Sequence, residues 1–159
     1  MQPSGQDDTD SAPPADRAWE ELRDCGEFSQ LTGPYFTTGE RLDSGEVARF
    51  GFRVERPHCN LRPVCHGGML ATFADLALAR GLKVAGNLPT PLPTISLSLD
   101  YLAPAALGAW VDARVTVSRI GRTTGFVSAM LHADGVPVLR ASGVFRHFLQ
   151  DNKGANNAA

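Results

Sequence analysis

Several things this chain has little of narrow its possible functions. Its 159 residues carry 15 Lys and Arg against 17 Asp and Glu, a formal net charge of −2. That leaves no broad basic surface to neutralise a nucleic-acid backbone, so an anionic ligand would have to be held by local arginines. There is no helix-turn-helix pattern and no basic arm. No apolar run approaches the roughly 20 residues that cross a bilayer, and the start of the chain is polar and acidic, without the apolar core of a secretory signal. Three cysteines, an odd number, argue against a disulfide framework and fit a reducing cytoplasm. No internal repeat and no linker-like shift in composition divide the chain.

With 43% hydrophobic residues, the chain is long enough for one domain with a real core. Residues 1–15 and 151–159 are polar and carry almost nothing to bury, so they are expected to be disordered, flanking one domain over 16–150. Asp16 is placed to cap a short helix to about Gln30, with Trp19, Leu22, Cys25 and Phe28 facing inward at helical spacing. Two strands follow, near Tyr35 to Leu42 and Glu46 to Glu55, joined by a turn at Asp43-Ser44-Gly45. A stiff loop with Pro57 and Pro63 leads to a helix from Gly67 to about Lys83. Between Gly67 and Ala79 that helix has only Thr72 and Asp75 as polar side chains, so it belongs inside the protein.

Period-2 alternation then marks four strands. In the first, Thr94, Ser96, Ser98 and Asp100 fall on one face and Ile95, Leu97, Leu99 and Tyr101 on the other. The second runs along Val111 to Ser118. A hairpin at Ile120-Gly121-Arg122 precedes Thr124 to Ala133, and Asp134-Gly135 signals a tight turn into Val136 to Phe148. Strands surrounding one apolar helix imply an α+β hotdog fold: a curved antiparallel sheet wrapped around a long central helix, with a short N-terminal helix.

The chemistry-bearing stretch runs from Pro57 to Arg80. A carboxylate in mid-helix, Asp75, is costly to bury unless paired or useful. Asp75 therefore opens onto a cleft as general base or nucleophile, or lies on a solvated stripe, or pairs locally with Arg80. His66-Gly67-Gly68 opens the helix, where backbone N–H groups lack internal partners and the dipole is positive. Glycine lets a ligand approach those donors; it equally suits a tight loop-to-helix junction. His58-Cys59 and Cys65-His66 crowd four metal-ligand types together, but adjacent pairs match no common zinc spacing, and the cysteines read as small buried residues.

Asn60, His66-Gly67-Gly68 and Asp75 stand at the spacing N-x5-H-G-G-x6-D, followed by Thr94-Ile95-Ser96-Leu97 and Tyr101-Leu102-x-Pro104. Over roughly Gly33 to His147 this resembles the PaaI-like acyl-CoA thioesterases of the hotdog superfamily. The resemblance implies that Asp75 activates the attacking water or attacks in its place. Gly67 would supply the N–H that polarises the thioester carbonyl, with His66 supporting that end and Gly68 admitting the ligand. Asn60 would help position the nucleophile and Thr94 would match a hydroxyl beside the acid. Pro63 stands where the family often has glycine, and its ring restricts the loop that carries Asn60.

The same resemblance implies a homodimer with two sites, often paired again into a tetramer. Each site would join the His-Gly-Gly end of one subunit to the acid and hydroxyl of the other. Arg119 and Arg122, flanking a hairpin turn, and Arg62 are candidates for the coenzyme A phosphates. Met69 and Phe73 are candidates for the depth of the acyl pocket. No metal or redox cofactor is expected. Two other readings share the fold, an acyl-CoA hydratase or dehydratase using His66 and Asp75, and a non-catalytic acyl-CoA binding module; the retained Asp75 speaks against the second.

Overall fold

The computed structural model describes residues 11–39 and 48–148. The polar ends 1–10 and 149–159, and the turn at Asp43-Ser44-Gly45 with Leu42 and Glu46, lie outside the described residues. The elements are β1 (Glu20–Glu21), α1 (Gly26–Thr32), β2 (Phe36–Thr37), β3 (Arg49–Arg53), α2 (Gly67–Gly86), β4 (Thr94–Tyr101), β5 (Trp110–Ile120), β6 (Thr124–Ala133) and β7 (Val136–Arg146), with a 3-10 turn at Arg56–His58. The strands form one antiparallel seven-stranded sheet in the order β1-β2-β3-β5-β6-β7-β4. This sheet curves around α2, which is the hotdog architecture.

Periodicity makes α2 two-faced. Met69, Leu70, Phe73, Ala74, Ala77, Leu78, Gly81 and Leu82 are buried against the sheet. Ala71, Thr72, Asp75, Leu76, Ala79 and Arg80 form a half-open stripe on the other side. A helix apolar nearly all round was expected to be enclosed all round; among the described residues this stripe is only partly covered, and burial is complete on one face only. The opposing wall consists of Val111, Ala113 and Val115 of β5, Val127, Ala129 and Leu131 of β6, and Leu139, Ala141 and Phe145 of β7.

Two glycines let α2 sit close to this wall. A Cβ on Gly81 would come within 2.4 Å of Val115 Cγ1, and one on Gly125 within 2.5 Å of Leu82 Cδ2. At the N-terminal end of α2, Phe73 stacks on Tyr35 (5.6 Å between centroids) and meets Phe52 edge-on at 4.7 Å. Asn87, in the left-handed region at φ 46, closes the C-terminus by donating its N–H to the Lys83 carbonyl. The turn between β6 and β7 has positive φ at both Asp134 (47) and Gly135 (85), as a two-residue type I′ hairpin requires.

The N-terminal helix differs from expectation. Residues 16–25 are not helical; Glu20–Glu21 pairs with β2 instead, and the helix covers Gly26–Thr32. Trp19 packs edge-on against Trp110 at 5.1 Å, and Leu22 N–H donates to the Tyr35 carbonyl, which holds the segment extended along the sheet. Gly26, at φ 77, then turns the chain into α1. None of the α1 side chains is buried; Phe28 is 64% exposed rather than facing a core.

β4 closes one end of the sheet and pairs with β7 along one side only. Not one of its eight residues is buried, and Ile95, Tyr101 and the following Leu102 are each more than half exposed. Among the described residues no helix is long and apolar enough to cross a membrane.

If the close approach at Gly81 sets how α2 sits, Gly81→Ala should destabilise the fold by about 1–3 kcal/mol, although alanine is the better helix former. The cost arises because Val115 is β-branched and cannot swing away. Urea unfolding midpoints of the two proteins check this; an alanine variant as stable as the wild type would contradict it.

Candidate functional site

At the start of α2 the backbone donors are almost all accounted for. His66 is the N-cap, and its ring Nδ1 accepts the Gly68 N–H at 2.8 Å. The His66 carbonyl accepts the N–H groups of Met69 (2.9 Å) and Leu70 (3.2 Å). Gly67 N–H has no acceptor among the described residues. An imidazole whose Nδ1 accepts a hydrogen bond carries its proton on Nε2 when neutral. His66 therefore consumes the Gly68 donor and leaves Gly67 N–H as the open one, at the positive end of the helix dipole.

Tyr101 completes this end. Its hydroxyl donates to the Gly67 carbonyl at 2.8 Å, and its ring lies where a Cβ on Gly67 would meet it at 3.2 Å. A groove of about 310 Å³ opens here, lined by Gly67, Leu70, Tyr101 and Leu102 among others. The sequence shows Tyr101 as part of a motif but gives no sign of this bond, because the fold alone brings the end of β4 over the helix start.

The preceding loop is pinned by its backbone. Cys59 pairs with Cys65 as an isolated bridge, Asn60 N–H donates to the Val64 carbonyl, and His66 N–H donates to the His58 carbonyl at 2.8 Å. His58 is buried beside Phe52, and its Nδ1 accepts the Glu55 N–H at 3.0 Å. Burial holds the His58 pKa below its ordinary value, with Glu55 opposing. Burial likewise pushes the Cys65 thiol up to about 12, and raises Cys59, so neither is poised as a thiolate. Among the described residues no group of three or more His, Cys, Asp or Glu side chains is gathered as a metal set would be.

Asp75 lies on the half-open stripe of α2, and Thr94 Oγ1 donates to its Oδ1 at 2.7 Å. Strict alternation would turn Thr94 to the Ser96, Ser98 and Asp100 face. A bulge prevents this: Ser96 is opposite Val144 and Thr94 opposite Phe145, so Ile95 is the extra residue. The bulge changes the parity of the strand and turns Thr94 inward, onto the carboxylate. A groove of about 400 Å³ surrounds Asp75, lined by Thr72, Leu76 and Arg80 of α2 and by Cys25 and Phe28 from the α1 side. No ion pair joins Asp75 to Arg80.

The other candidates are dispersed. Phe73 is fully buried in the aromatic cluster and Met69 is 8% exposed; both belong to the core and line neither groove. Asn60 and Arg62 are exposed on the loop, without side-chain hydrogen bonds among the described residues. Arg119 and Arg122 are exposed at the β5–β6 hairpin. That hairpin lies by the C-terminal end of α2, since a Cβ on Gly86 would come within 2.8 Å of Ile120 Cδ1.

Within one chain the site is therefore in two parts. Gly67 N–H, His66 and Tyr101 form one, and Asp75 with Thr94 the other. Eight residues of helix separate Gly67 from Asp75, about 12 Å at about 1.5 Å of rise per residue.

Comparison with known proteins matches residues 63–139 to the Thioesterase superfamily model. The chain is 35% identical over 115 residues to a Pseudomonas aeruginosa protein named "Putative esterase PA0474", covering 72% of this chain and 84% of that one. Among solved structures, a mutant of the phenylacetic acid degradation protein PaaI from Thermus thermophilus superposes with TM-score 0.63 at 27% identity, over 76% of this chain and 98% of that one. Zebrafish thioesterase superfamily member 2 shares the fold at TM-score 0.65 and 21% identity, over 77% and 88% of the two chains. So does a hypothetical thioesterase protein of Streptococcus pneumoniae with coenzyme A, at TM-score 0.60 and 23% identity, over 73% and 87%.

The depressed pKa of His58 makes the loop before Gly67 acid-sensitive. A histidine favoured neutral in the folded state contributes stability that is complete above its unfolded value of 6.5 and is lost as pH falls through the lower folded value. Urea midpoints measured at pH 7.5 and 5.5 should fall less steeply for His58→Gln than for the wild type. An equal slope would show that His58 does not titrate with unfolding.

Proposed function

Since the chain belongs to the thioesterase superfamily, we propose that it hydrolyses acyl-coenzyme A thioesters, at a site that two copies of the chain build together. The observation that carries this reading is the spacing of the two half-sites on one rigid helix. A carbonyl oxygen bound at Gly67 N–H places its carbon far beyond the reach of Asp75 in the same chain. A water activated by a carboxylate has to be within hydrogen-bond distance of it and beside that carbon.

The edge strand β4 supplies the geometry. Thr94 stands at one end of β4 beside Asp75, and Tyr101 stands at the other end beside Gly67. Antiparallel pairing of β4 with β4 of a second copy brings the Thr94 end of one chain to the Tyr101 end of the other. Two complete sites result, related by a two-fold axis. The same contact covers an exposed strand edge carrying Ile95 and Tyr101.

In the proposed reaction the thioester oxygen accepts from Gly67 N–H, where the helix dipole stabilises the oxyanion as it forms. Asp75 of the second copy removes a proton from water through Oδ2, because Oδ1 is engaged by the Thr94 hydroxyl. The resulting hydroxide adds to the carbonyl carbon. The tetrahedral intermediate then expels coenzyme A as a thiolate, which needs no strong acid because a thiol ionises near pH 8.5. Asp75 passes the proton it took to the departing thiolate, the acid product and coenzyme A leave, and water is the only co-reactant. The Streptococcus pneumoniae protein of the same fold was solved with coenzyme A.

Thiol release from a panel of acyl-CoAs tests the reading through two substitutions. Asp75→Asn should lower kcat by several orders of magnitude and leave the fold intact. Gly67→Pro removes the open N–H at a helix position that tolerates proline, after a residue already at φ −64 and ψ 138. It should cost about 100-fold or more in kcat, the usual scale for one oxyanion donor. Acyl-CoA bound without thiol release, or full turnover by Asp75→Asn, would overturn the proposal.

A further inference from the structure

The groove that holds Asp75 also holds a cation that nothing among the described residues neutralises. Arg80 is half-buried there, and among the described residues no carboxylate lies within ion-pair distance of its guanidinium. The one acid in the groove, Asp75, is engaged by Thr94 instead. Guanidinium is charged at every working pH, and partial desolvation between Phe28, Leu76 and Ala79 is unfavourable without a counter-ion.

Placement gives the missing anion a length. Arg80 follows Asp75 by five residues, about 7.5 Å along the helix at about 1.5 Å per residue. Leu76 and Ala79 occupy the stripe between them, and Phe28 comes in from the α1 side. Phe28 is 64% exposed on a helix that buries no side chain, so its ring is free of the core and available to the groove. A chain leaving a carbonyl carbon beside Asp75 and running along this stripe passes apolar side chains and ends at a guanidinium that binds carboxylates in bidentate fashion.

We infer that the Asp75 groove takes the acyl part of the substrate and that Arg80 selects acyl groups ending in a carboxylate, the coenzyme A mono-thioesters of short dicarboxylic acids. This rests on the hydrolase reading above and adds a substrate class to it. Arg80 is a specificity residue here and takes no part in the bond changes.

The test compares thiol release from glutaryl-CoA with pentanoyl-CoA, and from adipoyl-CoA with hexanoyl-CoA, for the wild type, Arg80→Gln and Arg80→Lys. In the wild type, kcat/KM should favour the carboxylate-ended member of at least one pair by about tenfold or more, the scale of one charge-assisted hydrogen bond. Arg80→Gln should abolish that ratio and Arg80→Lys should restore part of it. Each ratio is taken within one preparation, so a loss of folded protein cancels. A wild-type preference for the plain acyl groups, or a ratio that Arg80→Gln leaves in place, overturns the inference. Release from longer plain acyl-CoAs with none from these four also overturns it, while leaving the hydrolase reading standing. No release from any acyl-CoA overturns both.

Discussion

The packing of α2 into the curved sheet determines where every candidate group can be. Gly81 and Gly125 let the helix and β5–β6 approach more closely than any side chain would permit. The Tyr35–Phe52–Phe73 cluster anchors one end, and the Asn87 cap closes the other. A helix held this way cannot slide or turn without exposing its buried face, so Gly67 and Asp75 stay at a fixed separation. In the proposed reaction that separation, about 12 Å of helical rise, divides the chemistry between two copies.

Polar satisfaction sharpens the site further. Capping by the His66 ring takes the Gly68 N–H, and the His66 carbonyl takes the next two donors. A helix start with several open N–H groups would bind many anions; this one leaves a single directed donor at Gly67. Thr94 plays a matching part at the acid, engaging one carboxylate oxygen and leaving the other open among the described residues. In the proposed reaction each half-site thus presents one free group, and the side chains lining the grooves, Arg80 among them, supply the selectivity.

Much of this was legible in the sequence, for reasons that are local. The burial stripe of α2 and the alternation of β5 to β7 follow directly from helix and strand periods, and Asp134-Gly135 signalled its hairpin through the backbone conformation that such a turn requires. Asp75 stood out because a carboxylate in an apolar helix needs a reason. Three features were hidden because they depend on distant residues. Trp19, Leu22, Cys25 and Phe28 have helical spacing, but the contact of Trp19 with Trp110 outweighs that preference and draws the segment onto the sheet. One extra residue at Ile95 reverses the parity of β4, and no period-2 pattern reveals it. Phe73 and Met69 are candidates for the acyl pocket on sequence alone, and how deeply each is packed, beside Tyr35 and Phe52 for Phe73, depends on residues far from them in the chain.

The central claim, one site from two chains, is tested most directly by mixing two inactive variants. Asp75→Asn keeps an intact Gly67 end, and Gly67→Pro keeps an intact acid. The two are unfolded together, refolded as a mixture, and assayed for thiol release beside each variant refolded alone. The account predicts that the mixture recovers activity far above that of either parent, because mixed dimers contain one site with both groups unaltered. A refolded mixture that forms mixed dimers and is no more active than its parents would contradict it, and would place Gly67 and Asp75 in chemistry confined to a single chain.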